Sequence, residues 1–473
     1  MKAMTLGQIA AAVGGEVVGA AAHHLVDGHP FVDSRAPVPG GLFVAVPGER
    51  VDGHDFAAAA VSAGAAAVLT TRRTGGAAVV VANPVEALGK LARHVLEGLP
   101  DLTVIAITGS QGKTGTKDML AQLLESVDET VSTVGNLNNE IGVPLTALRA
   151  TGSTRFLVVE MGARARGEIA YLCSIVRPVV GVVLNVGTAH VSEFGSQLDI
   201  AEAKGELVEA LPADGVAVLN LDDPLVRVMR RRSDAPVLTF GESADAGIRW
   251  SGVHLTEDGR CSLTLAQGEA SHRLTLRSVG EQQAPNAAAA AGAALAVGMP
   301  FKRVTERLAE VRTRSRWRME VHTSAGGVTV VNDAYNANPA SMGAALETLA
   351  QIGHRRDRVL RTIAVLGEMR ELGDISSTEH GAIGRLAARL GVDKLVVVGA
   401  AARPIHLAAG LEDAWKGESV CVPDPAAAVA LLRATVRSGD VVLVKASRAA
   451  GLEIVAEALL AGVPDDTVAK DEA

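Results

Sequence analysis

The segment TGSQGKTGTK, residues 108–117, has the residue types of a polyphosphate-binding loop. Its glycines allow the backbone to curl so that successive N–H groups point inward, and the helix that follows adds partial positive charge. Lys113 supplies a cation, and Thr114 supplies a hydroxyl of the kind that ligates Mg²⁺ in such loops. The candidate nucleotide-binding residues of the loop are Gly109, Ser110, Gln111, Gly112, Lys113 and Thr114.

The strict pattern GxxxxGK[ST] is not met, because Ile107 stands where its first glycine should be. The alternative interpretation is an ordinary glycine-rich turn between a strand and a helix. The Lys-Thr pair follows closely after the β-branched run TVIAIT, residues 103–108, which is the order of strand, turn and helix that a phosphate loop requires. We therefore favour the phosphate loop.

A candidate metal ligand ends a second apolar run, FLVVEM, residues 156–161. In a parallel sheet the Glu160 side chain would emerge at the carboxyl edge, beside the phosphate loop. A carboxylate is the hard oxygen ligand that Mg²⁺ prefers. The alternative for Glu160 is a solvated charge at a strand end.

The elements that must position these residues alternate along the chain. Apolar runs at 103–108, 156–161, 179–186 and 216–221 are separated by helical stretches, which predicts a doubly wound, mostly parallel central sheet. The helix after the loop carries one apolar face, formed by Met119, Leu120, Leu123, Leu124 and Val127.

Two further α/β units flank this centre. The first hundred residues alternate short strands and helices, and the pattern restarts from about residue 320 as a Rossmann-like unit. We predict three domains: residues 1–100 for substrate binding, 101–319 for ATP binding, and 320–473 as a ligase domain. The length of 473 residues agrees with about three domains.

Composition limits the possible partners. The chain has 45 basic and 53 acidic residues, a formal net charge of −8, and 3% aromatic residues, which argues against a general nucleic-acid binder. Neither of the longest uncharged stretches, 57–69 and 287–299, is a membrane span, because both consist mostly of Ala and Gly. We expect a monomer with no nucleic acid and no membrane insertion.

Three cysteines, Cys173, Cys261 and Cys421, fit neither a disulfide framework nor a zinc-ligand spacing. They indicate a reducing compartment. The amino-terminal apolar stretch is interrupted early by Gly14-Gly15-Glu16, which argues against a signal peptide. We expect a cytoplasmic protein.

The loop GSQGKT resembles the phosphate loop of the Mur ligases, the ATP-dependent peptide-adding enzymes of bacterial cell-wall synthesis. Within that family, several motifs in the same order resemble the member that adds D-alanyl-D-alanine to UDP-N-acetylmuramoyl-tripeptide. Gly115 departs from the family, which more often has Ser or Thr there, and this departure bears on the stability of the helix start. The other motifs are NLNNEIGVPLT (136–146), VVEMGA (158–163), NVGTAH (185–190), FGS (194–196), AKGE (203–206) and NDAYNANPASM (332–342).

The resemblance implies two more ligands at the metal site. His190 would join Thr114 and Glu160, although imidazole is a less usual Mg²⁺ ligand and a capping or core histidine is the alternative. Lys204 would be carbamylated, because the metal ion beside the triphosphate would repel an unmodified ammonium. Its alternative is an exposed helix lysine.

The resemblance also implies contacts to the rest of the nucleotide and to the substrates. Asn286 would reach the adenine, Arg318 the phosphates, and Asp333 the ribose; the alternatives are a helix cap for Asn286 and Asp333 and a surface charge for Arg318. Candidate substrate-binding residues are Ser34, Arg35, Asn138 and Asn139 for the UDP-linked substrate, and Asn336 and Asn338, in an Asn-rich turn, for the dipeptide.

The reaction implied by the resemblance is amide formation through an acyl phosphate, with ATP and Mg²⁺ as cofactors and peptidoglycan precursor synthesis as its purpose. The nearest alternative is another ATP-dependent amide ligase, a different Mur ligase or a folylpolyglutamate synthase. A P-loop kinase or a non-catalytic nucleotide sensor belongs to a different class. Glu160, His190 and Lys204 together disfavour these last two.

Overall fold

The amino-terminal elements form a small α/β unit. The structure, a computed structural model, describes residues 1–48, 51–187, 194–355 and 358–461. A four-stranded sheet has the order β2-β6-β5-β4, in which β2 is antiparallel to β6 and the other neighbours are parallel, and β1 pairs with β3. The strands are β1 (Met4–Thr5), β2 (Glu16–Val18), β3 (Leu25–Val26), β4 (Leu42–Val44), β5 (Ala67–Thr70) and β6 (Ala78–Val80), and the helices are α1 (Leu6–Val13), α2 (Ala57–Ser62) and α3 (Pro84–Glu97).

The central sheet has nine strands in the order β15-β14-β13-β12-β11-β10-β7-β9-β8. All neighbours from β13 to β8 are parallel, and the pairs β13–β14 and β14–β15 are antiparallel. The strands are β7 (Thr103–Thr108), β8 (Thr130–Ser132), β9 (Phe156–Glu160), β10 (Val180–Val183), β11 (Val216–Asn220), β12 (Val237–Gly241), β13 (Ile248–Leu255), β14 (Arg260–Gln267) and β15 (Ala270–Val279).

Helices cover the central sheet, and two of them define the candidate site. α4 follows the phosphate loop and packs along the alanine-rich α9, whose residues Ala287–Ala291 are fully buried. Because alanine has the smallest apolar side chain, the two helix backbones approach closely. The helices are α4 (Lys113–Glu125), α5 (Gly142–Ala147), α6 (Glu168–Val176), α7 (Gln197–Glu209), α8 (Pro224–Arg227), α9 (Gln283–Ala296) and α10 (Phe301–Leu308).

The carboxyl-terminal sheet has the order β16-β17-β23-β20-β21-β22 and is parallel except between β16 and β17. Its strands are β16 (Glu320–Thr323), β17 (Thr329–Asp333), β20 (Thr362–Leu366), β21 (Lys394–Val398), β22 (Glu418–Val422) and β23 (Val441–Lys445), and a separate hairpin pairs β18 (His354–Arg355) with β19 (Arg358–Val359). The helices are α11 (Pro339–Gly353), α12 (Ser376–Arg389), α13 (Arg403–Ala409), α14 (Pro425–Thr435) and α15 (Glu453–Leu460).

The predicted class is confirmed: the chain forms three α/β units, and the central one contains a mostly parallel sheet. The domain limits at residues 100 and 319 stay a prediction. Strands β13 to β15 were not predicted from the sequence, because their buried and exposed residues alternate or mix instead of forming continuous apolar runs. No helix in the described part of the chain is long and apolar enough to cross a membrane.

Candidate functional site

The phosphate loop connects the end of β7 to the start of α4, as predicted. Gly112 precedes the helix with a φ of 83°, a left-handed conformation that L side chains rarely adopt. A Cβ at this position would also lie 2.4 Å from Oδ1 of Asn286. Both the backbone conformation and the close approach therefore require glycine here.

Asn185, just beyond the end of β10, braces the loop. Its Oδ1 accepts the Gln111 N–H at 3.0 Å, its Nδ2 donates to the Gln111 carbonyl at 3.2 Å, and its carbonyl accepts the Ser110 N–H at 3.1 Å. The Ser110 hydroxyl in turn accepts the Gly187 N–H at 2.9 Å. Asn185 is the first residue of the motif NVGTAH, but the sequence did not predict that it braces the phosphate loop.

The Thr114 hydroxyl and the Glu160 carboxylate meet where β7 and β9 lie side by side. Thr114 Oγ1 donates to Glu160 Oε2 at 2.9 Å, and Asn138 Nδ2 donates to Glu160 Oε1 at 2.8 Å. The backbone N–H of Glu160 donates to the Thr133 hydroxyl at 3.0 Å. Glu160 is 2% exposed, so it is not the solvated strand-end charge of the alternative interpretation.

Lys113 turns back over the loop, and its Nζ donates to the Gly109 carbonyl at 2.6 Å. Burial lowers the pKa of Lys113; the Glu160 carboxylate opposes this shift, and the positive charge of Arg318 adds to it. Two cations and a carboxylate thus converge on the glycine-rich loop, a charge arrangement suited to a polyanion.

Lys204 lies on α7 and is 4% exposed, so it is not an exposed helix lysine. Burial lowers its pKa to about 7, and the neighbouring charge of Lys113 adds to the shift. No hydrogen bond or ion pair reaches its ammonium from the residues that the structure describes. Such an amine is chemically suited to exist in neutral form near pH 7.

The other members of AKGE have structural contacts. Glu206 accepts the N–H groups of Gly167 at 2.6 Å and Ala170 at 3.0 Å, which caps the start of α6. A Cβ on Gly205 would lie 2.1 Å from a guanidinium nitrogen of Arg232. These contacts fix the helix turn that carries Lys204.

Mg²⁺ fits the donor set at this sheet edge. A hydroxyl and a carboxylate oxygen are hard ligands, and Mg²⁺ is usually held by one or two carboxylates together with water and substrate phosphates. Within the described ranges no three His, Cys, Asp or Glu side chains form a group that could hold a metal ion. His190 lies outside the described residues.

Asn286 projects from the first turns of α9 onto the phosphate loop and does not cap that helix. Its Oδ1 accepts the Thr116 hydroxyl at 3.5 Å, and its Nδ2 donates to Gln283 Oε1 at 3.1 Å. A Cβ on Gly115 would lie 2.9 Å from Asn286 Nδ2, so a Ser or Thr at this position would crowd the amide.

Arg318 reaches the same loop from the connection to the carboxyl-terminal sheet. Its Nη2 donates to the Thr114 hydroxyl at 3.5 Å, and its guanidinium lies 4.2 Å over the Tyr335 ring. Its Nε is buried without a hydrogen-bond partner in the described chain. Arg318 is therefore not a surface charge, and it has a donor available for a phosphate oxygen.

Asp333 ends β17 and caps no helix. Its Oδ1 accepts the Met319 N–H at 3.1 Å, and its Oδ2 forms a buried ion pair with Lys445 Nζ at 2.5 Å. Both carboxylate oxygens are thus engaged by the chain. The sequence prediction placed Asp333 at the ribose and the segment KASR, residues 445–448, at the dipeptide pocket, and it did not foresee the pair that Lys445 forms with Asp333.

The substrate candidates make local contacts. Arg35 is exposed and pairs with Asp33 at 2.8 Å, and no hydrogen bond or ion pair joins Ser34 or Arg35 to the phosphate loop in the described chain. Asn139 accepts the Gly142 N–H at 3.0 Å. Asn336 and Asn338 sit in the predicted Asn-rich turn, where Asn336 Oδ1 accepts the Ala337 N–H at 2.8 Å and Asn338 caps α11 by accepting the Ser341 N–H at 2.9 Å.

Comparisons with known proteins agree along the chain. Three family models match: "Mur ligase family, catalytic domain" at residues 31–95, "Mur ligase middle domain" at 107–294 and "Mur ligase, glutamate ligase domain" at 317–448. A Mycobacterium tuberculosis protein named UDP-N-acetylmuramoyl-tripeptide–D-alanyl-D-alanine ligase is 47% identical, and the match covers 98% of each chain.

Solved structures show the same similarity. MurF from Acinetobacter baumannii matches with a TM-score of 0.86 and 31% identity, covering 98% of this chain and 100% of that chain. MurF from Thermotoga maritima in complex with ADP matches with a TM-score of 0.78 and 31% identity, covering 92% and 97%. The sequence motifs, the three sheets and the loop geometry agree with these matches, and the chain belongs to the Mur ligase family.

Proposed function

We propose that this enzyme joins D-alanyl-D-alanine to UDP-N-acetylmuramoyl-tripeptide at the expense of ATP, in peptidoglycan precursor synthesis. The observation that carries the proposal is the convergence of Lys113, Arg318 and the Thr114–Glu160 pair on one glycine-rich loop. The full-length similarity to the mycobacterial ligase supports the choice of substrates.

A carboxylate does not react usefully with an ammonium in neutral water, so the carboxylate must first receive a leaving group. The terminal carboxylate of the tripeptide attacks the γ-phosphorus of ATP, which gives an acyl phosphate and ADP. The dipeptide amine then attacks the acyl carbon and displaces phosphate. The enzyme needs no covalent nucleophile, because positioning and charge stabilisation supply the catalysis.

The chain's own groups have distinct tasks in this scheme. Lys113 and Arg318 neutralise charge on the transferred phosphoryl group, and the loop N–H groups hold the other phosphates. Thr114 and Glu160 would hold Mg²⁺, together with His190 and a carbamate on Lys204. When bound, Mg²⁺ supplies further neutralisation of the phosphate charge.

The two acceptor substrates would bind to different domains. We assign the UDP-linked substrate to Ser34 and Arg35 in the domain of residues 1–100, with Asn138 and Asn139 leading to the phosphate loop. Asn138 supports this path because it already contacts Glu160. The turn carrying Asn336 and Asn338, in the domain of residues 320–473, would face the dipeptide.

Product analysis tests the proposal against its alternatives. The enzyme is incubated with ATP, Mg²⁺, the UDP-tripeptide and D-alanyl-D-alanine, and the products are identified by mass spectrometry. A ligase releases phosphate and forms the UDP-pentapeptide only with both acceptors, whereas a kinase leaves a stable phosphorylated product and a sensor turns over little ATP.

The free cysteines Cys173, Cys261 and Cys421 support a reducing, cytoplasmic location.

A further inference from the structure

The backbone that presents Arg318 is held in an unfavourable conformation. Trp317 and Met319, on either side of it, have φ values of 58° and 50°, in the left-handed region that bulky side chains avoid. Two such residues in one short connection persist only where surrounding contacts hold them. The contacts that hold this segment therefore decide where the Arg318 guanidinium lies.

Among the described residues, three hydrogen bonds restrain the backbone of residues 317–319. The Trp317 N–H donates to Glu320 Oε2 at 2.9 Å, and the Trp317 carbonyl accepts the Tyr335 N–H at 3.2 Å. The third bond is the one from the Met319 N–H to Asp333 Oδ1 at 3.1 Å. Of these three bonds, only the last joins residues 317–319 to a buried charged group, since Asp333 is buried and pairs with Lys445.

Lys445 fixes Asp333 from the other side. It ends β23, is 2% exposed, and directs its Nζ to Asp333 Oδ2 at 2.5 Å and to the Asn336 carbonyl at 2.9 Å. One ammonium thus ties together the end of β17, the turn after it and, through the carboxylate, the Met319 N–H. Without the ammonium, the carboxylate would be a buried unpaired charge that must turn toward water or become protonated.

We propose that Lys445 and Asp333 are a positioning pair that aims Arg318 at the phosphate loop. The inference rests on the proposed function, in which Arg318 meets the transferred phosphate. The path is Lys445 to Asp333, Asp333 to the Met319 N–H, and from there to the guanidinium that lies over Tyr335 and 3.5 Å from the Thr114 hydroxyl. We expect loss of Lys445 to release the backbone of residues 317–319 and to move the Arg318 guanidinium away from the bound phosphates.

The same sheet offers a matched control. Lys394 is also buried and also ion-paired, with Glu418. It begins β21, at the amino ends of the parallel strands, whereas Lys445 ends β23 at their carboxyl ends. Lys394→Met removes a buried lysine from the same sheet without touching the segment that carries Arg318. Its effect on unfolding gives the part of any loss that is merely structural.

The experiment compares Lys445→Met, Lys445→Arg and Lys394→Met by steady-state kinetics and thermal unfolding. For Lys445→Met we expect kcat to fall about 100-fold, the size of effect that an ångström of misplacement causes, with an unchanged KM for the UDP-tripeptide. Lys445→Arg keeps a cation and should recover part of kcat. Lys394→Met should lower the Tm and leave kcat within twofold of wild type.

A nucleotide lacking the ribose hydroxyls separates positioning from ribose binding. If the pair aims Arg318, Lys445→Met loses the same factor in kcat with ATP and with 2′,3′-dideoxy-ATP. If the pair acts only through the ribose, the loss appears with ATP and disappears with the dideoxy nucleotide, which would overturn the proposal. A folded Lys445→Met with wild-type kcat would overturn it as well.

Should Lys445→Met not fold, Asp333→Asn tests the same link, because the amide keeps its shape and loses its charge. It should show the same direction of change with both nucleotides, and wild-type kcat would contradict the proposal. Failure of the proposed function would look different, since the wild-type enzyme itself would then form no UDP-pentapeptide.

Discussion

The Thr114 hydroxyl donates to Glu160 Oε2 at 2.9 Å, across 46 residues of sequence. Thr114 belongs to the first turn of α4 and Glu160 to the last position of β9, so the bond joins the phosphate loop to the neighbouring strand. Both side chains are buried. The bond aligns the two oxygen groups that would share a Mg²⁺ ion when nucleotide binds.

Thr114→Val should nearly abolish turnover, because it removes the hydroxyl and leaves Glu160 with one donor fewer. We expect kcat to fall at least about 100-fold, and the free energy of unfolding to fall by about 1–3 kcal/mol. Steady-state kinetics and urea unfolding measure the two effects. Thr348→Val is the control, since that buried hydroxyl donates to the Ala344 carbonyl within α11; equal kinetic losses in both variants would contradict the prediction.

Lys113→Ala should abolish amide formation and leave the fold intact. Lys113 Nζ contacts the Gly109 carbonyl of its own loop. In the proposed reaction this ammonium would face the transferred phosphate, so we expect a loss of at least about 100-fold in kcat/KM. Circular dichroism checks the fold, and product formation is followed by mass spectrometry. Lys302→Ala, at an exposed position on α10, is the control. Wild-type turnover in Lys113→Ala would refute the assignment.

Asn185→Ala should weaken nucleotide binding. The variant removes two side-chain hydrogen bonds to Gln111, so the loop loses its preformed shape and we expect KM for ATP to rise about tenfold. Isothermal titration with ADP gives the affinity directly. Asn83→Ala, which removes the cap of α3, should cost about 1 kcal/mol of stability without changing ADP affinity. An unchanged ADP affinity in Asn185→Ala would exclude the bracing role.

Lys204 should make stability depend on pH. Its folded-state pKa is about 7, well below the ordinary value of 10.5, so between these values the unfolded chain binds more protons and stability rises with pH. Below pH 7 the cost of the buried charge is fully present. In buffer free of carbon dioxide, Lys204→Met should therefore be more stable than wild type at pH 6, by on the order of several kcal/mol. This difference in the free energy of unfolding should narrow toward pH 10. Urea unfolding at a series of pH values measures it, and a difference that stays constant from pH 6 to pH 10 would argue against the prediction.

A carbamate on Lys204 should be replaceable by a free carboxylate. The ammonium first loses a proton, and the resulting neutral amine reacts with carbon dioxide to give a carbamate and a second proton. A cation is thereby replaced by an anionic oxygen ligand. Lys204→Ala should lose most activity, small carboxylates such as acetate should restore a measurable part, and removal of bicarbonate should slow the wild type. Normal turnover in Lys204→Ala would end this idea, whereas the roles of Lys113 and Thr114 would stand.

The sequence by itself determined the parts of the molecule that depend on near neighbours in the chain. Continuous β-branched runs such as 103–108 predict buried parallel strands, because both faces of such a strand are covered. The glycines and Lys113 after that run predict the phosphate loop, and the end of the next apolar run places Glu160 at the same sheet edge. These inferences need only local conformation and the rule that parallel strands share an edge.

The tertiary structure alone decided which distant residues hold these groups in place. Asn185 braces a loop 74 residues earlier, and Lys445 pairs with Asp333 across 112 residues. Neither asparagine nor lysine has a local pattern that marks such a role, since the partner is chosen by the sheet order and by the need to satisfy buried polar groups. Residue types and spacing therefore revealed the chemistry, and the folded arrangement determined how that chemistry is positioned.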